Sequence, residues 1–304
     1  MYVGQPALRS TGSILLCCSA IENAILPSAR DTGSPLLFGW SHLSQMESLP
    51  FWWRMTTQTA LRLAPPCDPV LRAAALAEQM AVMGLRDRLA LIERTIEGRT
   101  IFTTGFGLEG QVLAHALSAT GSSAEWTTID TGRLFPETID VWAATEARFG
   151  RTIRAVASGT AATEALVERD GAHGMRHSAA AREACCDVRK VEPLGRALEG
   201  AGGWITGLRA GQSEARGEAK LVSWDAAKGL FKFAPLADWS KTQVEAYVEA
   251  FDLPYNALHD RGFLSIGCAP CTRAVNLGED ERAGRWWWEA GDKECGLHRR
   301  AAAA

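Results

Sequence analysis

No stretch of this chain is long and apolar enough to span a bilayer as a helix. The apolar run from Ile14 to Ile21 falls well short of the roughly 20 residues that a crossing requires. It lacks a basic n-region and a convincing cleavage site, so a secretory leader is not expected either. An excess of positive charge is also missing, since the formal net charge is −3. That argues against a partner such as nucleic acid, which is held through bulk charge. Internal repeats are absent, and the only low-complexity block is Ala301–Ala304, read as a frayed tail. A chain of 304 residues does not need disulfide staples to fold. These absences leave a cytoplasmic protein with no membrane and no nucleic-acid partner.

The composition is that of an ordinary globular protein, with 47% hydrophobic and 22% charged residues. Residues 1–65 stand apart, with Ser, Gly, Pro and scattered Trp in no sustained period. They are expected to form an irregular, disordered extension, with Met55 as the expected native start. From about residue 70 the pattern becomes regular. Residues 70–95 carry Ala and Leu at helical spacing. Strands are predicted at Thr100–Thr104, Trp126–Ile129, Thr152–Val156 and Gly203–Thr206, with short β pieces at Leu221–Trp224 and Phe231–Phe233. Helices are predicted around Val112–Leu117, after Pro136, and after the cap at Ser240. Strands alternating with helices imply an α/β protein, a parallel sheet wrapped by helices. Such sheets bind ligands at the carboxyl ends of their strands. The turns after Thr104, Ile129 and Thr206 lie at those ends.

Four groups of residues carry chemistry. The first is the turn Thr103-Thr104-Gly105-Phe106-Gly107 before a helix. Free backbone N–H groups and the positive end of the helix suit an anion, and the hydroxyls of Thr103 and Thr104 add donors. A plain strand-to-helix turn is the bland reading, and one glycine turn is a weak signal. The second is Cys185-Cys186 with Cys268-Ala269-Pro270-Cys271. Four thiols in two tight pairs suit zinc or an iron–sulfur cluster. Adjacent cysteines are unusual around one zinc ion, whereas a cubane offers four separate corners. The pair at 185–186 could also be two small buried residues.

The third is Cys295, in Lys293-Glu294-Cys295-Gly296-Leu297-His298. Neighbouring cations favour a thiolate nucleophile, although an incidental exposed thiol has the same local appearance. The fourth is a set of basic residues beside the ligand loops: Arg189, Lys190, Arg209, Arg216, Arg282 and Arg285. Each alone is usually a solvated charge. Together they suggest an anion pocket.

In combination these segments resemble the adenylyl sulfate and phosphoadenylyl sulfate reductase family. The matching runs include Ile129-Asp130-Thr131-Gly132-Arg133-Leu134-Phe135-Pro136, Cys185-Cys186-Asp187-Val188-Arg189-Lys190, Trp204-Ile205-Thr206-Gly207-Leu208-Arg209 and Ser265-Ile266-Gly267-Cys268-Ala269-Pro270-Cys271-Thr272. Arg282-Ala283-Gly284-Arg285-Trp286-Trp287-Trp288-Glu289 and the Cys295 segment complete the set, in the family's order over roughly residues 70–298.

The resemblance implies a Rossmann-like, adenine-nucleotide hydrolase-like fold over residues 66–280, with a C-terminal catalytic tail over 281–304. It implies a [4Fe–4S] cluster on Cys185, Cys186, Cys268 and Cys271, and Cys295 as the nucleophile. Thr103, Thr104, Gly105, Gly107, Thr131, Gly132, Lys190, Arg209, Arg282, Arg285 and His298 become expected substrate contacts. The implied substrate is adenylyl sulfate, reduced to sulfite and AMP. The implied reductant is thioredoxin or glutaredoxin, and a homo-oligomer is expected. Members without the four cysteines usually take the 3′-phosphorylated substrate, which is the alternative reading; a non-catalytic iron–sulfur nucleotide sensor is another. An ATP pyrophosphatase-type enzyme would need a Ser-Gly-Gly-x-Asp-Ser loop, which is absent. Two positions depart from the family: Gly105 stands where Ser is usual, and Gly110 where Asp is common. Ala210 replaces a second arginine after Arg209.

Overall fold

The computed structural model describes residues 68–213, 216–289 and 296–297. The expectations for residues 1–65, including Met55, lie outside the described residues. So do those for Cys295 and His298.

The chain opens with α1 (Pro69–Ala81) and α2 (Leu85–Thr95), followed by β1 (Arg99–Thr103) and α3 (Leu108–Thr120). Then come β2 (Glu125–Asp130), α4 (Pro136–Phe149), β3 (Arg154–Ala157) and α5 (Thr160–Asp170). α6 (Ala179–Cys186) runs through a π-turn at Asp187–Val191 into α7 (Glu192–Leu198). β4 (Ala201–Thr206), β5 (Val222–Asp225), β6 (Leu230–Phe233) and α8 (Lys241–Ala250) follow.

The periodic stretch at 70–95 is two helices, not one. Met83 N–H closes a turn onto the Met80 carbonyl, and Gly84 begins α2 in an extended conformation. Buried Arg88 then pins the break. It donates to the Met80 carbonyl at 2.9 Å, to the Pro235 carbonyl at 2.7 Å, and to both oxygens of Asp238.

The strands pair in the order β3-β2-β1-β4-β6-β5. All pairings are parallel except β5 with β6, a hairpin at the edge. From β1 the chain steps outward through β2 to β3, then returns to place β4 on β1's other side. The strand order therefore reverses between β1 and β4, which is where such sheets open a ligand crevice.

Alternation along the strands sends neighbours to opposite faces. Phe102, Ile205 and Phe233 join the larger core with Leu89, Ile92, Leu113 and Leu117. Ile101 and Trp204, one position away, and Leu230, three from Phe233, join the smaller core with Leu194 and Leu198 of α7. Both faces of the central strands are covered, as an all-parallel region requires. The expected α/β class is what the chain adopts.

Candidate functional site

The turns after β1, β2 and β4 meet at one cleft of about 800 Å³ at the carboxyl ends of the strands. Of the residues singled out from sequence, Thr103, Thr104, Gly105, Gly107, Thr131, Lys190, Arg209, Arg282 and Arg285 all line it. Gly132 does not. It turns the chain with φ +65°, and its N–H donates to Asp130 Oδ1 at 2.8 Å.

The first turn is built differently from what its glycines suggest. The left-handed residue is Phe106, at φ +61°, not Gly105 or Gly107. A bulky side chain there is rare and requires compensation. Phe106 finds it by burial and by stacking on Trp142, ring centres 5.5 Å apart. Its N–H donates to Thr104 Oγ1 at 3.0 Å. Thr103 Oγ1 accepts from Trp204 Nε1 at 2.7 Å. Each hydroxyl accepts, so each keeps its own proton to donate.

Both departures from the family pattern have a visible setting. A Cβ added at Gly105 would meet nothing within 4 Å. A Cβ added at Gly110 would lie 2.5 Å from Thr104 Oγ1, far inside contact distance. A side chain at 110 would therefore displace the Thr104 hydroxyl from its hydrogen bond with Phe106 N–H.

Arg209 is buried and its charge is already engaged. Its Nε donates to Glu109 Oε1 at 2.7 Å, and its Nη2 to the Glu281 carboxylate at 3.1 Å. Gln212 Nε2 donates to the same Glu109 oxygen at 3.0 Å. Burial pushes the Glu281 acid upward, with Arg209 opposing. These two carboxylates escaped the sequence reading, since they sit 100 and 72 residues from Arg209. His259 was also missed. It lines the cleft, and its Nε2 is buried without a hydrogen-bond partner among the described residues. Burial lowers its basicity, against a backbone hydrogen bond to Phe263.

Lys190, Arg282 and Arg285 also line the cleft, with Cys268, and Lys190 and Arg285 act electrostatically on that thiol. Arg285 is 5% exposed, and its Nε has no hydrogen-bond partner among the described residues. Its guanidinium lies over the Trp286 ring at 4.6 Å and packs on Gly267, where any Cβ would strike it. Arg282 Nη1 donates to Ser265 Oγ at 3.3 Å.

Cys268 and Lys190 line a second cavity as well, together with Cys185, Cys186 and Cys271. All four cysteines are free thiols. They fit a multi-iron cluster better than one ion. Adjacent residues on a helix point about 100° apart, so Cys185 and Cys186 address different positions. Among the described residues no three His, Cys, Asp or Glu side chains converge to hold a single metal. Arg133, Arg182, Arg189 and Lys190 surround the cavity and would offset the negative charge of four thiolates. The cavity they line has about 10 Å³ of free space, so holding a cluster would require these side chains to move apart.

Crowded thiols resist ionising together. Burial, then the neighbouring Cys268, pushes Cys271 up to about 11. Burial likewise raises Cys185. Cys268 goes the other way: burial opposes ionisation, yet Lys190, a hydrogen bond with Thr131 and Arg285 together bring it below the ordinary thiol value. Its Sγ lies 3.3 Å from Thr131 Oγ1.

An open, mostly parallel sheet with a polar cleft at its switch point defines an α/β protein of the kind that binds ligands at the carboxyl ends of its strands. Residues 99–274 match the family of the phosphoadenosine phosphosulfate reductase domain, and the chain belongs to that family. It is 47% identical to a protein of Agrobacterium fabrum named adenosine 5′-phosphosulfate reductase, over 74% of this chain and 86% of that one. A protein of the same name from Allochromatium vinosum is 49% identical over 66% of this chain and 78% of its own. Among solved structures, the phosphoadenylyl-sulfate reductase of Candida auris, a phosphate complex, superposes with a TM-score of 0.55 at 26% identity. That match covers 65% of this chain and 94% of the other.

Proposed function

We propose that this protein reduces adenylyl sulfate to sulfite and AMP with electrons from thioredoxin or glutaredoxin, in the assimilation of sulfate for cysteine synthesis in the cytoplasm. The observation that carries this reading is one cleft whose cationic end adjoins the four-thiol cavity, with Cys268 and Lys190 lining both. The names of the relatives at 47% and 49% identity point to the same substrate.

The chemistry runs in two steps. The Cys295 thiolate attacks the sulfur of adenylyl sulfate, a sulfur–sulfur bond forms, and the bond from that sulfur to the bridging phosphate oxygen breaks. AMP leaves with the electron pair, and Cys295 carries an S-sulfonate. A reductant thiolate then attacks the Cys295 sulfur, and sulfite departs with the bonding pair. The reductant's second thiol resolves the mixed disulfide and is left oxidised. Lys190, Arg282 and Arg285 offset the charge that builds on phosphate and sulfate oxygens as the first bond breaks. Arg209, held between two carboxylates, has a positioning part instead. Cys185, Cys186, Cys268 and Cys271 would hold a [4Fe–4S] cluster, which supplies local charge and order rather than electrons.

Leu297 supports the role given to the tail. It lines the cleft and packs on the smaller core. Two residues of chain, at most about 7 Å, separate it from Cys295. The test is sulfite release from anaerobically purified protein with thioredoxin. Adenylyl sulfate should be turned over, and Cys295→Ser should abolish release. Turnover retained by that variant would remove the nucleophile from this scheme.

A further inference from the structure

The cleft is divided by charge. One end gathers Lys190, Arg282 and Arg285. In the other part, Arg209 is clamped by two carboxylates, Glu109 and Glu281, and its side chain is 2% exposed. Arg216 and Lys241 line the cleft as well, the latter 3.5 Å from Glu245, but Glu245, Glu249, Asp252 and Asp260 line it with them, so together with Glu109 and Glu281 six carboxylates stand against the three cations Arg209, Arg216 and Lys241. Glu109 is held a second time by Gln212, whose own Oε1 accepts from Arg209 N–H and from Arg216 at 2.6 Å. The clamp is therefore a braced unit rather than a chance contact.

We infer that Glu281, with Glu109, is a specificity-determining residue, which withholds Arg209 from anions and so disfavours a sulfonucleotide bearing a further phosphate on its ribose. The inference rests on the proposed function and sharpens it. The reacting phosphate and sulfate need cations at one place only, and the three basic residues beside Cys268 provide that place. A third anionic group would have to lie elsewhere in the same cleft, against surplus negative charge. Ribose hydroxyls suit that wall, because ionised carboxylates only accept hydrogen bonds. A phosphate dianion offers them no donor. Glu281 also lies one residue before Arg282, so the clamp fixes the segment that carries the substrate's cationic partners.

The experiment compares kcat/KM for adenylyl sulfate and for its 3′-phosphorylated form in the wild type and in Glu281→Gln. Gln keeps the shape and one hydrogen bond to Arg209 while removing the charge. The preference for adenylyl sulfate should fall on the order of tenfold, chiefly through a lower KM for the phosphorylated substrate. A part limited to holding the fold would lower both substrates alike and leave the ratio unchanged, which overturns the inference. Equilibrium binding to the unaltered protein gives a second readout that does not depend on the variant. AMP should bind more tightly than adenosine 3′,5′-bisphosphate, with a gap that narrows as salt rises. Equal affinities, or a reversed order, sink the inference. Absence of sulfite from either substrate counts against the proposed function instead, and the binding comparison still decides this point.

Discussion

The sheet and the cysteine-bearing end of the molecule are held by different forces. In the sheet, Phe102, Leu113, Ile92 and Phe233 are almost wholly enclosed by other apolar groups. Such packing is non-directional and complete in itself. At the cysteine end, buried cations replace buried hydrocarbon. Arg182 donates to Glu289 at 3.0 Å and lies 4.8 Å over Trp286. At the surface of this region, exposed Arg176 reaches the Pro270 carbonyl at 2.9 Å and faces the rings of Trp287 and Trp288. The Nε of Arg285 is left, among the described residues, without the partner that burial demands. One region is built to be stable, and the other spends stability to remain ready for what it binds.

Four measurements test that contrast, from the largest effect to the smallest. Cys271→Ser should abolish turnover and the brown colour expected of an iron–sulfur protein, while the sheet stays folded by far-ultraviolet circular dichroism. A colourless, zinc-loaded and fully active variant would break the contrast at its centre. Arg285→Met should lower kcat/KM about 10²-fold, as removal of one charge-stabilising donor does elsewhere. Its melting temperature should hold or rise, because a buried cation with an unsatisfied Nε is exchanged for an apolar chain. Leu89→Ala should do the reverse. It should cost about 3 kcal/mol in denaturant unfolding and leave kcat/KM intact below the transition.

The smallest effect concerns His115, on the outer side of α3. Burial, with Arg148 and Arg86 nearby, lowers its basicity in the folded state, and its Nδ1 lies 2.9 Å from Tyr247 Oη. A folded value below the unfolded one means the unfolded chain binds the proton more readily. Its contribution is therefore complete above the ordinary value of about 6.5 and fades as pH falls below it. Replacing His115 by Gln should flatten the decline in stability on acidification from that point. An unchanged slope would remove this part of the account.

How much of this could be read from sequence follows the same divide. Strand positions emerged to within about two residues, because short apolar runs such as Ile101-Phe102, closed by a turn, are a local signal. The break between α1 and α2 was missed because apolar spacing continues across Val82-Met83-Gly84 while the backbone does not. The cysteine pairs were legible from spacing alone. The clamp on Arg209 was not, since its carboxylates come from elements 100 and 72 residues away and no short pattern announces them. Phe106 misled in the opposite direction. Two flanking glycines advertise a turn, but the left-handed position falls between them and is paid for by a ring stack on Trp142.

The close approach of Gly110 to Thr104 bears on how this loop can change over generations. With the threonine in its present rotamer, a side chain at 110 meets its hydroxyl; turning that hydroxyl away makes room but gives up the hydrogen bond from Phe106 N–H. The two positions are therefore coupled rather than independent. Grafting aspartate at 110 should cost more alone than together with a smaller residue at 104, so the effects of the two substitutions should not add.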